Sequence, residues 1–199
     1  MHQDNVIMFH ELNHEIVQFV RDVSVNKNHK YHDLINKSEF TFDDALYSQY
    51  LHIPKLLFRP CTIFVSTAII SKGNEEQTEF IKCADAHNDY FTKNETKHYC
   101  TVEQLLKLQT IGVNIGLHGH EHLDLRHQLG NLLYTKIAVE TDVLKSVEIA
   151  KQYGFKVKSF AYPYNHEAPF MAYYYDINGI SKVYGKERIS IETLMLGKY

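Results

Sequence analysis

Short apolar runs rich in β-branched residues alternate along the chain with segments of helical period. Such runs predict buried strands, and helices between them predict parallel strands joined by crossover connections. The predicted strands are Asn5–His10, Glu39–Asp43, Cys61–Ile70, Asn114–His118 and Val157–Tyr162, with Ile180–Tyr184 as a further candidate. The pattern therefore predicts an α/β fold with a largely parallel sheet or barrel.

The helices between these strands carry recognisable boundary signals. They are predicted over Ala45–Leu57, Thr101–Thr110 and Thr135–Tyr153, with a helix and an exposed loop over Glu75–Thr96. Thr101 and Gln104 have the spacing of a capping box, which stabilises a helix start. Pro54 should end or kink the first of these helices, because proline cannot donate the backbone hydrogen bond.

Composition narrows the class of protein. The chain has 199 residues, 21 Lys and Arg against 24 Asp and Glu, and a formal net charge of -3. We expect one domain over residues 1–199, and the charge argues against a nucleic-acid or anionic-membrane partner. No apolar run has the roughly 18 residues of a membrane span, and the start lacks an export-signal pattern, so we expect a cytoplasmic protein. We expect the thiols of Cys61, Cys83 and Cys100 to be reduced.

Polar side chains with catalytic chemistry follow several of the predicted strands. In parallel α/β folds, active residues collect at the carboxyl ends of strands. Asp43 and Asp44 end one strand, and two neighbouring carboxylates do not both ionise cheaply unless a cation neutralises one. One could then bind a metal ion while the other acts as a general base. The alternative is an acidic loop or helix start.

Three histidines in five residues, beginning with His118, stand at the end of the predicted strand Asn114–His118. His118 and His122 lie four apart, which in a helical turn places both imidazoles on one face, suited to a divalent ion. His120 would then point elsewhere. Two alternatives stay open at this point: a solvated polar turn, and a His118–His120 pair of the amidohydrolase type on an extended segment.

Three segments, in order, carry a family resemblance. Thr41-Phe-Asp-Asp44, Ile115-Gly-Leu-His-Gly-His-Glu-His-Leu-Asp-Leu125 and Phe160-Ala-Tyr-Pro-Tyr164 resemble the first three motifs of the polysaccharide deacetylase family, also called the NodB homology domain or carbohydrate esterase family 4. The match spans roughly residues 5 to 165. It implies a distorted (β/α) barrel and a metal-dependent hydrolysis that removes N-acetyl groups from amino sugars.

The resemblance also implies roles for individual residues. Asp43 matches the catalytic base, whereas Asp44, His118 and His122 match the ligands of a divalent metal ion, for which zinc is the expected identity. The backbone N–H of Tyr164 matches a donor that helps to hold the oxyanion. Asp124 matches an acidic position expected to be structural.

Two departures from the family pattern raise a second hypothesis. Ala161 stands where the family has an arginine that braces the base, and no histidine follows His166 to serve as the late general acid. His10 and His166 are the candidates for that acid. If neither serves, the chain is a catalytically impaired relative that binds metal or sugar.

The remaining expectations concern the other histidines and the substrate. We expect a surface or core position for His14, His29, His32, His52, His87, His98 and His127. The substrate is expected to be an amino sugar, free, nucleotide-linked or lipid-linked, that serves as a precursor of surface polysaccharide. The sequence does not indicate the oligomeric state.

Overall fold

The computed structural model describes residues 5–73, 76–124, 132–168, 176 and 178–199, with residues 132–139 as helical backbone only. The strands are β1 (Val6–Phe9), β2 (Glu39–Phe42), β3 (Cys61–Val65), β4 (Asn114–Leu117), β5 (Ser159–Ala161), β6 (Lys182–Tyr184) and β7 (Ile189–Ser190). The α-helices are α1 (His14–Val25), α2 (His32–Lys37), α3 (Tyr47–His52), α4 (Cys83–Lys93), α5 (Val102–Thr110), α6 (Leu132–Gln152) and α7 (Ile191–Met195). Two 3-10 helices cover Ile53–Leu56 and Pro163–Asn165.

All seven strands join in one parallel sheet with the order β6-β5-β4-β3-β2-β1-β7. The sheet curls into a half-barrel, so side chains from distant strands meet inside it. The Glu39 carboxylate on β2 accepts hydrogen bonds from Thr62 on β3 (2.9 Å) and from the Tyr184 hydroxyl on β6 (2.8 Å). The expected distorted (β/α) barrel is therefore confirmed.

The first six strands lie within the predicted runs but are shorter. The largest difference is at β3, which ends at Val65 instead of Ile70. Beyond it the chain turns towards the loop after β4: the Ser66 hydroxyl donates to the His118 carbonyl (3.0 Å), and the Thr67 N–H donates to the Gly119 carbonyl (3.2 Å). The apolar run thus covers both a strand and a loop that supports the histidine segment.

The predicted helices are present with adjusted boundaries. The capping box of α5 is confirmed, since Thr101 and Gln104 each accept a hydrogen bond from the other's backbone N–H. The prediction that a helix begins at Ala45 is wrong, because that residue has a φ of 55°, outside the right-handed helical region. Helix α3 begins at Tyr47, and Pro54 lies within the following 3-10 helix.

Helix α1 was not predicted, although the sequence contains its signals. Asn13 caps the helix by accepting a hydrogen bond from the Ile16 N–H (2.9 Å). The side chains of Ile16, Val17, Val20 and Val23 recur with helical period and are buried. Strand β7 and the short helices α2 and α7 were not predicted either.

The buried apolar residues form one main core and smaller clusters. The main core contains Phe9, Phe40 and Phe42 with the buried faces of the surrounding helices. A small interior cluster contains Phe64, Ala161, Tyr184 and Val6. Among the described residues, no helix combines the length and apolarity needed to cross a bilayer.

Candidate metal centre and catalytic base

Asp43 and Asp44 occupy a strained turn at the carboxyl end of β2. Asp44 has a φ of 74°, a left-handed conformation that costs a non-glycine residue about 1–2 kcal/mol. The turn is held by the Gln49 side-chain amide, which donates to the Asp43 carbonyl (2.6 Å) and to the His10 carbonyl (2.8 Å). The reversal of the backbone lets the two adjacent carboxylates face different partners.

The Asp43 carboxylate is buried and paired with an arginine. Arg188 Nη1 donates to Oδ1 (2.6 Å) and Nη2 donates to Oδ2 (2.8 Å), and His10 Nε2 lies 4.0 Å from Oδ2. Burial by itself would raise the pKa of this carboxyl, but the neighbouring Arg188, with His118 and His10, outweighs burial and lowers the pKa. Asp43 is therefore an ionised carboxylate at neutral pH.

Arg188 is a site residue that the sequence did not identify. It precedes β7, at the open side of the half-barrel, and its side chain is fully buried. Its guanidinium lies 5.9 Å over the Phe64 ring, which packs with Ala161, and also donates to Asn165 Oδ1 (2.6 Å). Although position 161 carries alanine, the base thus has an arginine partner. No local pattern around residue 188 predicts this contact, because the partner is 145 residues away.

Asp44 Oδ1 faces three imidazole nitrogens. His122 Nε2 lies 3.1 Å away, His87 Nε2 3.2 Å and His118 Nε2 3.6 Å. Burial by itself would raise the pKa of the Asp44 carboxyl, but His122 and His87 outweigh it and hold that pKa well below its ordinary value. The three residues predicted to bind metal, Asp44, His118 and His122, are therefore brought together, with His87 in addition.

The expectation of a surface or core position for His87 does not describe its place beside Asp44. The first turns of α4 carry Cys83 and His87, and Cys83 Sγ donates to Asp44 Oδ2 (3.0 Å). Residues four apart in a helix share a face, so the Cys83–His87 spacing was a usable signal. Burial, together with Asp44, raises the pKa of the Cys83 thiol, which stays protonated and able to donate.

The histidine segment is not a helical turn, and that part of the prediction is wrong. Gly119 and His122 have φ values of 81° and 55°, so two left-handed residues fold the loop back and bring His122 beside His118. The buried Asp142 carboxylate on α6 supports this loop by accepting from the Glu121 N–H (2.7 Å). His120 points away and contacts Thr67, with its Nδ1 2.8 Å from the threonine hydroxyl.

The residues around Asp44 fit a divalent cation. Asp44 Oδ1 and His87 Nε2 are buried without a hydrogen-bond partner among the described residues, although they lie only 3.2 Å apart. Ligand atoms about 2.0–2.2 Å from a shared tetrahedral ion lie about 3.3–3.6 Å from one another. The distances from Asp44 Oδ1 to the nitrogens of His122, His87 and His118, at 3.1, 3.2 and 3.6 Å, are close to this spacing. Burial lowers the pKa of His118 to about 4, so its imidazole is neutral and able to bind metal at neutral pH.

Tyr164 and His166 lie on the other side of His122. Tyr164 has a φ of 58°, and its ring packs against the His122 ring with centroids 4.8 Å apart. The His166 ring stacks on Tyr164, and its Nδ1 lies 2.7 Å from Asp124 Oδ1. Asp124 thus orients a predicted catalytic histidine, while His127 lies outside the described residues.

Comparison with known proteins gives matches to solved structures. No protein-family model and no curated protein sequence matches the chain. IcaB from Ammonifex degensii aligns with a TM-score of 0.62 and 20% identity, covering 94% of this chain and 84% of that chain. The BpsB deacetylase domain from Bordetella bronchiseptica aligns with a TM-score of 0.60 and 15% identity, covering 94% and 93%.

A third similar structure is the Streptococcus pyogenes deacetylase PplD in complex with acetate. It aligns with a TM-score of 0.59 and 15% identity, covering 98% of this chain and 97% of that chain. In each pair the alignment extends over most of both proteins. The chain therefore has the fold of these deacetylases, and its resemblance to the polysaccharide deacetylase family is confirmed at the level of the fold.

Proposed function

We propose that the protein is a metal-dependent hydrolase that removes an N-acyl group, N-acetyl in the first instance, from an amino sugar. The observation that carries the proposal is that the two adjacent carboxylates have different environments. Asp43 is held by Arg188 and remains ionised, whereas Asp44 Oδ1 faces three imidazoles and lacks a hydrogen-bond partner among the described residues. One carboxylate is thus suited to proton transfer and the other to a cation.

The chain's own residues have distinct tasks in this reaction. Asp44, His118 and His122 would hold the divalent ion, for which zinc is the first candidate. A divalent ion bound there supplies polarisation of the amide carbonyl and acidification of a water molecule. Asp43 accepts the proton of the attacking water. The Tyr164 N–H, near the start of a 3-10 helix where N–H groups lack intrahelical acceptors, donates to the developing oxyanion.

His166 is the proposed general acid for the leaving amine. The ring is held by Asp124 on one side and by the Tyr164 ring on the other. Such a carboxylate–imidazole pair fixes the orientation of the ring and decides which of its nitrogens faces the site. His10 is the second candidate, since its Nε2 lies 4.0 Å from the base and its side chain is 39% exposed.

The hypothesis of a catalytically impaired relative depends on two departures from the family pattern. Ala161 stands in place of the arginine that braces the base, and no histidine follows His166 to serve as the general acid. Arg188 offers the base the guanidinium that position 161 lacks, and the His166–Asp124 pair offers an acid earlier in the chain. Both contacts favour an active enzyme. The amidohydrolase alternative gains no support from His120, whose ring contacts Thr67 and is not among the imidazoles around Asp44.

The test is acetate release by purified protein from N-acetylated amino sugars presented free, nucleotide-linked and lipid-linked. We expect release from at least one class, loss of activity on chelation, and recovery on adding a divalent metal. Acetate is present in the S. pyogenes structure and is the product that such a reaction releases. Metal and sugar binding without acetate release from any class would favour the impaired relative instead.

A further inference from the structure

The helix α4 places its first turns directly over the Asp44 carboxylate. It is anchored there by buried Ala86, which packs with Leu46 from the loop after β2 and Ile69 from the loop after β3. The backbone N–H of Cys83 donates to Glu11 Oε1 (3.2 Å). These contacts fix one helix face, and with it His87, against the turn that holds the two carboxylates.

The His87 ring is oriented by aromatic neighbours. It stacks on Tyr99 with centroids 6.2 Å apart and an interplanar angle of 14°, and its centroid lies 4.4 Å from that of His122. Tyr99 is almost fully buried, so this side of the ring is fixed by the core. His87 Nε2 is consequently aimed at Asp44 Oδ1, at 3.2 Å.

The approach of these two atoms lacks the geometry of a hydrogen bond. Both are buried and have no hydrogen-bond partner among the described residues. Asp44 Oδ2 is satisfied by Cys83, so only Oδ1 is left for a cation. One potential metal-ligating atom from each of Asp44, His87 and His122 lies within 4.8 Å of the corresponding atoms of the other two residues.

We propose that His87 is a further ligand of the metal ion, binding through Nε2 beside Asp44, His118 and His122. The inference rests on the proposed function, because it assumes that the Asp44 site holds a metal ion. Four protein ligands would fill a tetrahedral ion and leave no position for water. An active site with His87 bound therefore needs an ion that accepts a fifth ligand, as zinc does in some catalytic sites.

The rival explanation is that His87 is a protonated counter-ion of Asp44 that never binds metal. A loss of metal affinity does not separate the two, because removing a residue that only orients a ligand already costs about 10–100-fold. The discriminating quantity is the number of imidazoles on the ion. Cobalt(II) reports it, since it shifts the NMR signals of the ring atoms of each bound histidine.

The experiment loads the metal-free protein with cobalt(II) and compares wild type with His87→Gln and His98→Gln. His98 is a suitable control because it also contacts α4, with Nε2 3.0 Å from Asp89 Oδ2, and belongs to the other cluster of potential cation ligands, Asp89, Glu95 and His98. We expect His87→Gln to lose one set of shifted imidazole signals and to bind cobalt(II) at least tenfold more weakly. His98→Gln should keep the wild-type set.

Each other outcome has a defined meaning. An unchanged number of shifted imidazoles in His87→Gln, with wild type loaded, would overturn this inference and leave the proposed function standing. Failure of wild type to take up any metal would overturn the metal dependence of the proposed function and this inference together. Thermal unfolding of the metal-free variants shows whether any lost signal reflects misfolding.

Discussion

Arg188 donates two parallel hydrogen bonds to Asp43, Nη1 to Oδ1 at 2.6 Å and Nη2 to Oδ2 at 2.8 Å, in a fully buried pair. Breaking a buried pair by removing one partner typically costs about 3–5 kcal/mol, because the other charge stays uncompensated. We expect Arg188→Met to lose stability of this order in denaturant unfolding. Arg188→Lys should lose less stability than Arg188→Met but remain below wild type, since an ammonium cannot form the bidentate contact. If Arg188→Met costs as much in an Asp43→Asn background, the two residues are not coupled.

The same pair predicts a pH dependence of stability. The folded-state pKa of Asp43 is lowered, so its stabilising contribution is present above the unfolded-state value of about 3.9 and is lost as pH falls through the folded-state pKa. The difference in unfolding free energy between wild type and Arg188→Met should therefore narrow below about pH 4. A difference that stays constant through that range would contradict the pairing.

Metal content distinguishes a deacetylase-type site, with His118 and His122 as ligands, from an amidohydrolase-type site, with His118 and His120 as ligands. Asp44→Ala and His118→Ala should each lose bound metal, measured by elemental analysis after loading and desalting. His120→Gln should retain it, because the His120 ring contacts Thr67 and is not among the imidazoles around Asp44. Unchanged metal in the first two variants, or loss in His120→Gln, would show that the ligand assignment is wrong.

The two candidate acids give different outcomes on substitution. His166→Gln should lower the rate of acetate release by about 10²–10⁴-fold, the usual contribution of a general acid. Metal content should not change, since His166 contacts Asp124 and Tyr164 and not Asp44. His10→Gln should have a much smaller effect. The reverse order of the two effects would assign the acid to His10.

The conformation of the histidine loop can be tested at Gly119. An added Cβ would lie 2.5 Å from Asp142 Oδ2, and φ is 81°. Gly154→Ala is a matched control, because Gly154 has a φ of 79° with nothing within 4 Å of the added Cβ. Both should lose about 1 kcal/mol to backbone strain, but Gly119→Ala should lose more stability and bind metal more weakly. Equal losses in the two variants would show that the Asp142 contact is unimportant.

Local patterns predicted the elements that local interactions determine. The apolar runs predicted the first six strands, and Thr101 with Gln104 predicted the start of α5, because side-chain periodicity and capping act within a few residues. The boundaries were less accurate where long-range contacts decide them. Strand β3 stops at Val65 because Ser66 and Thr67 bond to the histidine loop, which is about fifty residues away in the chain.

The residues of the candidate site likewise divide into those that local sequence patterns predict and those that only long-range contacts bring together. Asp43, Asp44, His118 and His122 belong to motifs with recognisable spacing, and the fold brings them together. Arg188 reaches Asp43 because the sheet curls into a half-barrel. This long-range geometry leaves no pattern in the sequence around residue 188. His87 is intermediate, since its spacing from Cys83 was visible but its target, Asp44, was not.

An acetate-release assay on N-acetylated amino sugars tests the proposed hydrolysis by comparing metal-loaded wild type with metal-loaded Asp43→Asn. We predict that wild type releases acetate and free amine in equal amounts. Asp43→Asn should keep its metal and lose about 10²–10⁴-fold in rate, because the proton acceptor is removed. Since the change also leaves Arg188 without its ionised partner, thermal unfolding must show that the loaded variant is folded at the assay temperature. Equal rates in the two proteins, or no acetate from fully metal-loaded wild type on any substrate class, would contradict the proposed metal-dependent deacylation.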